Sequence, residues 1–193
     1  MYENFSISFN SILNPKNRSF YLSDFHVPQQ GAIAITRKVL EKGWVFVFQV
    51  KPFGTQPGWS NVLHATTGGN NGVYGYRTPG VWMISNTRRL HICSAVNGNT
   101  NYCWNSQSLP ANKFTQVEIR QIPKFGPNSY YFQVLIDNTL KHEILNKQPS
   151  IFHNVRYYLS DPWYKPAKAH VRNFNVFNIR HPGQIIKCFT QHF

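Results

Sequence analysis

Apolar and polar residues alternate with a period of two over most of the chain, whereas helical periodicity is almost absent. Along the segment 44–50, Trp44 and every second residue after it are apolar and share one side of a strand. Val45 and Val47 make the other side apolar as well. A strand that is apolar on both faces is predicted to lie in the middle of a sheet.

Further strand candidates follow at short intervals and are separated by clusters of Gly, Pro and Asn. They span residues 5–9, 60–65, 73–76, 80–85, 89–96, 100–104, 115–122, 129–137, 140–144, 153–159 and 169–179. Residues 36–42 form either a helical turn or two, ended by Gly43, or another strand. Since no linker or internal repeat divides the chain, we expect one all-β domain over residues 1–193, with two antiparallel sheets packed face to face.

Several segments, taken in chain order, resemble laminin-G-like and pentraxin-like domains. Residues 44–52 are similar to the early core strand of these domains, in which an aromatic residue opens an alternating apolar stretch. Residues 59–63, 114–119, 131–138 and 169–174 are similar to later strands of the same domains. The resemblance is strongest over residues 40–180 and implies a concanavalin-like jelly-roll sandwich. This architecture includes lectins, adhesion modules and hydrolases, so the fold alone does not select a function.

The composition describes a folded, basic protein. Aromatic residues make up 16% and apolar residues 41% of the chain, which is enough to fill a core. Twenty Lys and Arg face seven Asp and Glu, for a formal charge of +13. The basic residues are scattered, without an arm or a nucleic-acid recognition module, so nucleic acid is not an expected partner. A broad positive potential favours other polyanions, such as sulfated or carboxylated glycans or anionic lipid. A generally basic surface with no specific partner is the alternative. No apolar stretch is long enough to span a membrane.

Three cysteines bear on the redox state of the protein. A three-residue loop at 97–99 would place Cys93 opposite Cys103, at a separation that a disulfide can bridge. A two-residue turn would instead pair Cys93 with Tyr102, so the bridge requires the longer loop or a bulge. Two free thiols are the alternative. Cys188 has no obvious partner and is expected either to link two chains in a dimer or to stay free.

The N-terminal sequence and the cysteines together suggest a compartment. Two N-glycosylation sequons begin at Asn4 and Asn17, and no charged and then apolar leader precedes Phe5. We expect a secreted, extracellular protein whose signal peptide is either absent or already removed.

Carboxylates are too few and too scattered to favour catalysis. Glycoside hydrolysis needs two facing carboxylates, and the Glu-x-Asp-x-x-Glu strand typical of laminarinase-like enzymes is missing. A jelly-roll polysaccharide lyase, using Arg120, Gln121 and the pair Tyr130 and Tyr131, is the enzymatic alternative. The sequence favours a protein that is not an enzyme.

No metal or cofactor is expected. None of the eight histidines stands at a zinc-like spacing from cysteines. Calcium is the usual cofactor of many domains of the resembled families, and Asp137 and Asp161 are the only carboxylates predicted at turns. A net cationic surface opposes calcium, which therefore stays an alternative.

Aromatic and basic residues concentrate in loops, and they carry the leading hypothesis. Aromatic faces stack on the C–H patches of sugar rings, while Arg and Lys donate hydrogen bonds to hydroxyls, carboxylates and sulfates. We predict a lectin-like module that binds an anionic or sulfated glycan, with a structural or adhesion module that binds protein as the alternative. The predicted ligand-binding residues are Tyr76, Arg77, Trp82, Arg88, Arg89, Trp104, Trp163, Tyr164 and Lys165.

Overall fold

The computed structural model describes residues 20–22, 26–124 and 128–179, the first three by their backbone alone. The predicted strand at 5–9, both sequons and Cys188 lie outside these residues. The described residues form thirteen strands and no helix. The strands are β1 (Phe20–Leu22), β2 (Ile33–Leu40), β3 (Gly43–Pro52), β4 (Ser60–Thr66), β5 (Gly80–Met83), β6 (Arg89–Val96), β7 (Asn99–Ser108), β8 (Thr115–Pro123), β9 (Tyr130–Ile136), β10 (Thr139–Asn146), β11 (Phe152–Tyr158), β12 (Lys165–Pro166) and β13 (Ala169–Ile179).

Two sheets pack face to face in the predicted jelly-roll sandwich. The six-stranded sheet has the order β1-β13-β3-β8-β9-β10, and the seven-stranded sheet has the order β2-β11-β4-β5-β6-β7. The short β12 adds to β4 in parallel, and all other pairs are antiparallel. The central position predicted for the segment 44–50 is confirmed, because β3 lies between β13 and β8. Within the described part of the chain, nothing could cross a membrane as an apolar helix.

One hydrophobic core lies between the sheets and is rich in aromatic rings. Trp44 packs edge-on against Phe46, with ring centroids 5.2 Å apart. Phe46 stacks on Tyr157 of the opposite sheet at 5.5 Å. All three side chains are essentially inaccessible to solvent. Each buried ring of this size removes a large apolar area from water, so the alternating aromatic residues of β3 hold the two sheets together.

The structure decides between the two alternatives for residues 36–42 and corrects the strand predicted at 73–76. Residues 36–42 do not form helical turns, since β2 runs from 33 to 40 and pairs with β11. The strand predicted at 73–76 is wrong. Gly72 and Gly75 have φ values of +93° and +99°, and the Tyr76 amide donates to the Val73 carbonyl at 3.0 Å. These left-handed glycines turn the chain, which a strand cannot do.

Cys93 and Cys103 form a disulfide across the hairpin of β6 and β7. The hairpin closes on a two-residue turn, because Val96 pairs with Asn99. The register then shifts by one residue between Ser94 and Val96, so that Cys93 faces Cys103 directly. The bulge that the sequence required for a two-residue turn is therefore present.

We expect reduction of this disulfide to lower the free energy of unfolding by about 2–3 kcal/mol, because the bridge closes a loop of only about ten residues in the unfolded chain. Urea titration with and without a phosphine reductant measures the difference in the Cys188→Ser variant. A variant that also carries Cys93→Ser and Cys103→Ser is the control and should not respond to the reductant. An unchanged midpoint in the first variant would contradict the prediction.

Candidate functional site

Polar and aromatic side chains collect on the outer face of the seven-stranded sheet. Val81 of β5 and Ile92 of β6 belong to the hydrophobic core. Because side chains alternate along a strand, their neighbours Trp82 and His91 point to the opposite side. Asn61 and His64 of β4 pair with Trp82 and Gly80 and lie on the same outer face. The outer face of this sheet is therefore chemically distinct from the core.

A small open recess of about 120 Å³ is formed where loops meet this face. Its lining residues are Trp59, Arg77, Trp82, His91 and Tyr164. Trp82 is buried at the base, and its ring contacts the ring of Tyr164 at 5.7 Å. Trp59 is 43% exposed and packs on the His91 ring at 4.7 Å. The recess is smaller than the roughly 300–1,000 Å³ of a typical small-molecule site, so its volume suffices for one chemical group rather than for a whole small molecule.

Arg77 forms part of the recess wall and is almost fully buried. Its guanidinium carbon lies 4.4 Å from the centroid of the Trp82 ring, in a cation–π contact. Its Nε donates to the carbonyl oxygen of Asn70 at 3.0 Å, and Nη1 donates to Oδ1 of Asn101. Burial lowers the pKa of Arg77, and the nearby Tyr164 opposes that shift. Since an arginine stays protonated in proteins, it brings a fixed positive charge to the recess.

Asp161 organises the loop that supplies Trp163 and Tyr164. Its Oδ1 accepts hydrogen bonds from the backbone amides of Trp163 at 3.1 Å and Tyr164 at 2.9 Å. Its own amide donates to Oδ1 of Asn61 at 2.8 Å. The Asp161 side chain is completely buried. These hydrogen bonds fix the turn at Asp161, and the turn positions Tyr164 at one side of the recess.

His64 links the turn at Asp161 to the loop that contains Tyr76. Its Nδ1 lies 2.8 Å from Oδ2 of Asp161, and its Nε2 lies 2.6 Å from the carbonyl oxygen of Tyr76. Both partners are acceptors, so His64 makes both hydrogen bonds only when both ring nitrogens carry protons. In that form the buried carboxylate is paired with an imidazolium, and the His64 ring packs edge-on against Trp82 at 5.1 Å.

His91 stands between Trp59 and the disulfide hairpin. Its Nδ1 lies 2.6 Å from Oδ1 of Asn105, which is an acceptor, so the proton of this bond belongs to the histidine. Burial lowers the pKa of His91, and the charge of Arg77 lowers it further, against the effect of the Asn105 hydrogen bond. A neutral ring bonded in this way keeps Nε2 as an acceptor.

Gly80 leaves room for the Trp82 ring close to the backbone. A Cβ atom at this position would lie 2.1 Å from the Trp82 ring, which no side chain can tolerate. Gly69 is similar, since a Cβ there would lie 2.4 Å from the Tyr76 ring. Both glycines are needed for the close approach of an aromatic ring to the backbone.

The structure brings some of the predicted ligand-binding residues together. Arg77, Trp82 and Tyr164 line the recess. Trp163, 40% exposed, lies beside it with its ring 5.4 Å from that of His64, and Lys165 is exposed in β12.

The remaining predicted residues serve other contacts. Tyr76 offers its carbonyl to His64. Arg88 and Arg89 donate through Nε to the carbonyls of Leu109 and Ser106, each at 2.9 Å. Trp104 pairs with Ile92, whose side chain points inward, and stacks on His142 of the other sheet at 5.7 Å. It therefore faces the interior, because adjacent residues such as Cys103 and Trp104 point to opposite faces of a strand.

Sequence reasoning left Trp59, His64 and His91 out of the predicted site. Trp59 carries a usable signal, since it follows Pro57 and Gly58 in a turn. His64 and His91 are polar residues in otherwise apolar strands, but the pattern alone does not show what covers them.

Residues considered for catalysis or calcium are dispersed or engaged. Gln121 is buried and accepts from Asn146, whereas Arg120 on the opposite face donates to Glu118 at 2.8 Å. Both carboxylate oxygens of Asp161 accept hydrogen bonds from His64 and the loop amides. Oδ1 of Asp137 accepts from the Gln116 amide at 2.9 Å.

We expect Asp161→Asn to lower the free energy of unfolding by about 3 kcal/mol, because removal of the charge leaves His64 without its buried partner. Urea denaturation followed by tryptophan fluorescence measures this loss. Asp137→Asn is the matched control at an exposed turn and should cost less than about 0.5 kcal/mol. Equal effects of the two substitutions would show that Asp161 does not hold the recess.

The sequence matches no protein family and no curated protein. Its fold is similar to that of the receptor-binding domain of botulinum neurotoxin D, with a TM-score of 0.50 and 13% identity over 90% of this chain and 43% of that one. The binding domain of botulinum neurotoxin DC in complex with rat synaptotagmin II has a TM-score of 0.49, with 12% identity over 91% of this chain and 46% of that one. Trypanosoma rangeli sialidase also has a TM-score of 0.49, with 16% identity over 75% of this chain and 22% of that one. The chain spans less than half the length of each of these proteins, and the likeness to the neurotoxin D domain supports the β-sandwich fold alone.

Proposed function

We propose that the protein binds carbohydrate through the recess on the outer face of the seven-stranded sheet. The observation that carries this proposal is an exposed tryptophan, Trp59, in one recess with the buried Arg77 and with polar side chains that are half-buried, His91 and Tyr164. Large apolar side chains on a protein surface usually belong to a contact with another molecule when they adjoin convergent polar groups.

The aromatic groups are suited to a sugar ring. Trp59 and Trp163 expose 43% and 40% of their surface. An indole face stacks on the C–H patch of a pyranose while the sugar hydroxyls stay free for hydrogen bonds. Trp82 and Tyr164 lie deeper and shape the floor against which the ring edge rests. A ligand therefore lies across the recess, with one edge inserted.

Polar groups at the recess select for hydroxyls. The acceptor Nε2 of His91 takes a hydrogen bond from a sugar hydroxyl, because Nδ1 is occupied by Asn105. The Tyr164 hydroxyl, 3.4 Å from Nδ2 of Asn70, also faces this group of residues. One acceptor and one mixed donor and acceptor next to an aromatic face match the chemistry of a glycan.

An anionic glycan is the finer form of the proposal. Arg77 carries a positive charge at the recess wall. The carboxylate of Asp161 is fully buried and is hydrogen-bonded to His64 and two loop amides. The charge of Arg77, together with the formal +13 of the chain, favours a carboxylate or sulfate on the sugar.

The proposal includes no catalytic step, metal or other cofactor, and it places the protein outside the cell. A disulfide between Cys93 and Cys103 suits an oxidising compartment. Membership of the laminin-G-like and pentraxin-like group is part of the same proposal.

We expect Trp59→Ala to weaken glycan binding at least tenfold with little change in stability, because it removes a stacking face that is already half in water. Glycan-array screening followed by isothermal titration calorimetry measures the loss. Phe53→Ala is the control, since Phe53 is 44% exposed but does not line the recess. The proposal fails if the two variants bind equally well.

We expect the affinity for a sulfated glycan such as heparin to fall steeply as the salt concentration rises. Binding to a polyanion releases counterions, and added salt opposes that release and screens the attraction. Lys165→Ala should weaken binding and reduce the salt slope. Lys141→Ala, an exposed lysine on β10 of the other sheet, is the matched control. Equal effects would indicate diffuse attraction without a site, and binding of neutral sugars alone would overturn the anionic specificity.

A further inference from the structure

We propose that the reduced protein binds a thiophilic divalent metal, such as Zn²⁺, through His91, Cys93 and Cys103. This inference does not depend on carbohydrate binding. It rests on three potential ligands that the hairpin of β6 and β7 gathers on one face.

Strand geometry brings the three side chains together. His91 and Cys93 are two residues apart on β6, so both point to the outer face. Cys103 pairs with Cys93 across the hairpin, with Cα atoms 4.1 Å apart. The two sulfur atoms and one ring nitrogen of His91 all lie within 4.8 Å of one another. Tetrahedral zinc with Zn–S bonds of about 2.3 Å needs sulfurs about 3.8 Å apart, which side-chain rotation supplies once the S–S bond is broken.

His91 is held as a metal-ligating histidine usually is. Its Nδ1 donates to Oδ1 of Asn105 at 2.6 Å, which fixes the ring and leaves Nε2 with its lone pair. A hydrogen bond of this kind from the second ring nitrogen is the common support of histidine ligands.

The charges at the hairpin suit a thiolate site. Two thiolates would neutralise the two charges of Zn²⁺, so the complex would be neutral at the site. Nη1 of Arg77 lies 3.8 Å from Sγ of Cys93 and stabilises negative charge on that sulfur. The recess that His91 lines gives solvent access, which allows water to fill a fourth coordination position.

Reduction must come first. A phosphine reductant takes oxygen from water and becomes a phosphine oxide, while the disulfide accepts two electrons and two protons and becomes two thiols. Metal binding then releases both protons as the thiols become thiolates. The same residues thus support either a bridge or a metal site, according to the redox state.

The test uses full-length protein carrying Cys188→Ser, so that the third cysteine contributes nothing. Co²⁺ is added to the oxidised and to the phosphine-reduced protein, and the charge-transfer absorbance of cobalt thiolate is recorded. Zn²⁺ then displaces Co²⁺ in competition with a chromophoric chelator. We expect one metal per chain in the reduced protein and none in the oxidised protein.

His91→Ala should weaken zinc binding at least tenfold, and Asn105→Ala about tenfold through loss of support for the ring. His153→Ala, which removes an exposed histidine on β11, should leave affinity unchanged. Circular dichroism checks that each variant keeps its β structure. The proposal is overturned if the reduced protein shows no thiolate band, or if His91→Ala and His153→Ala bind zinc equally.

Discussion

The buried pair of Asp161 and His64 is the interaction on which the outer face of the seven-stranded sheet depends. Every polar atom of the two side chains has a partner: two loop amides, one carbonyl and each other. Buried charges are tolerated only when they are paired and hydrogen-bonded in this way. The pair thereby joins the loop that contains Tyr76 to the turn at Asp161. These two segments position Arg77 and Tyr164 at the recess.

The hairpin of β6 and β7 separates two environments by the alternation of its side chains. Cys103 lies on the outer face with its partner Cys93, whereas Tyr102 and Trp104 point inward and stack on His142. His142 follows a register shift in β10 after Leu140. Bulges of this kind aim a side chain at a new neighbour, and here one of them joins the edges of the two sheets.

The positive charge of the chain is used in two different ways. Arg77, Arg88 and Arg89 each donate a hydrogen bond to a carbonyl oxygen of a nearby loop or strand. Lys141 and Lys165 are exposed and are available to the field around the protein. The three arginines therefore have a structural role in addition to their charge, while the exposed lysines add to the long-range positive potential of the chain.

The sequence alone determined the class of fold, because alternation with a period of two is a local property of each strand. It predicted β6 and β13 with the observed bounds, and it placed β3 in the middle of a sheet. It failed at 73–76, where two glycines with positive φ turn an aromatic segment away from a strand. Residue type alone does not report which φ a glycine adopts.

The tertiary structure decided which predicted residues meet. A shift of one residue in register moves a side chain to the other face of a sheet, so neither the cysteine pairing nor the inward direction of Trp104 could be derived from alternation. The residues that line the recess lie far apart in the sequence, from Trp59 to Tyr164. Their meeting depends on strand order and on buried hydrogen bonds between distant residues, and these are properties of the folded chain rather than of any segment.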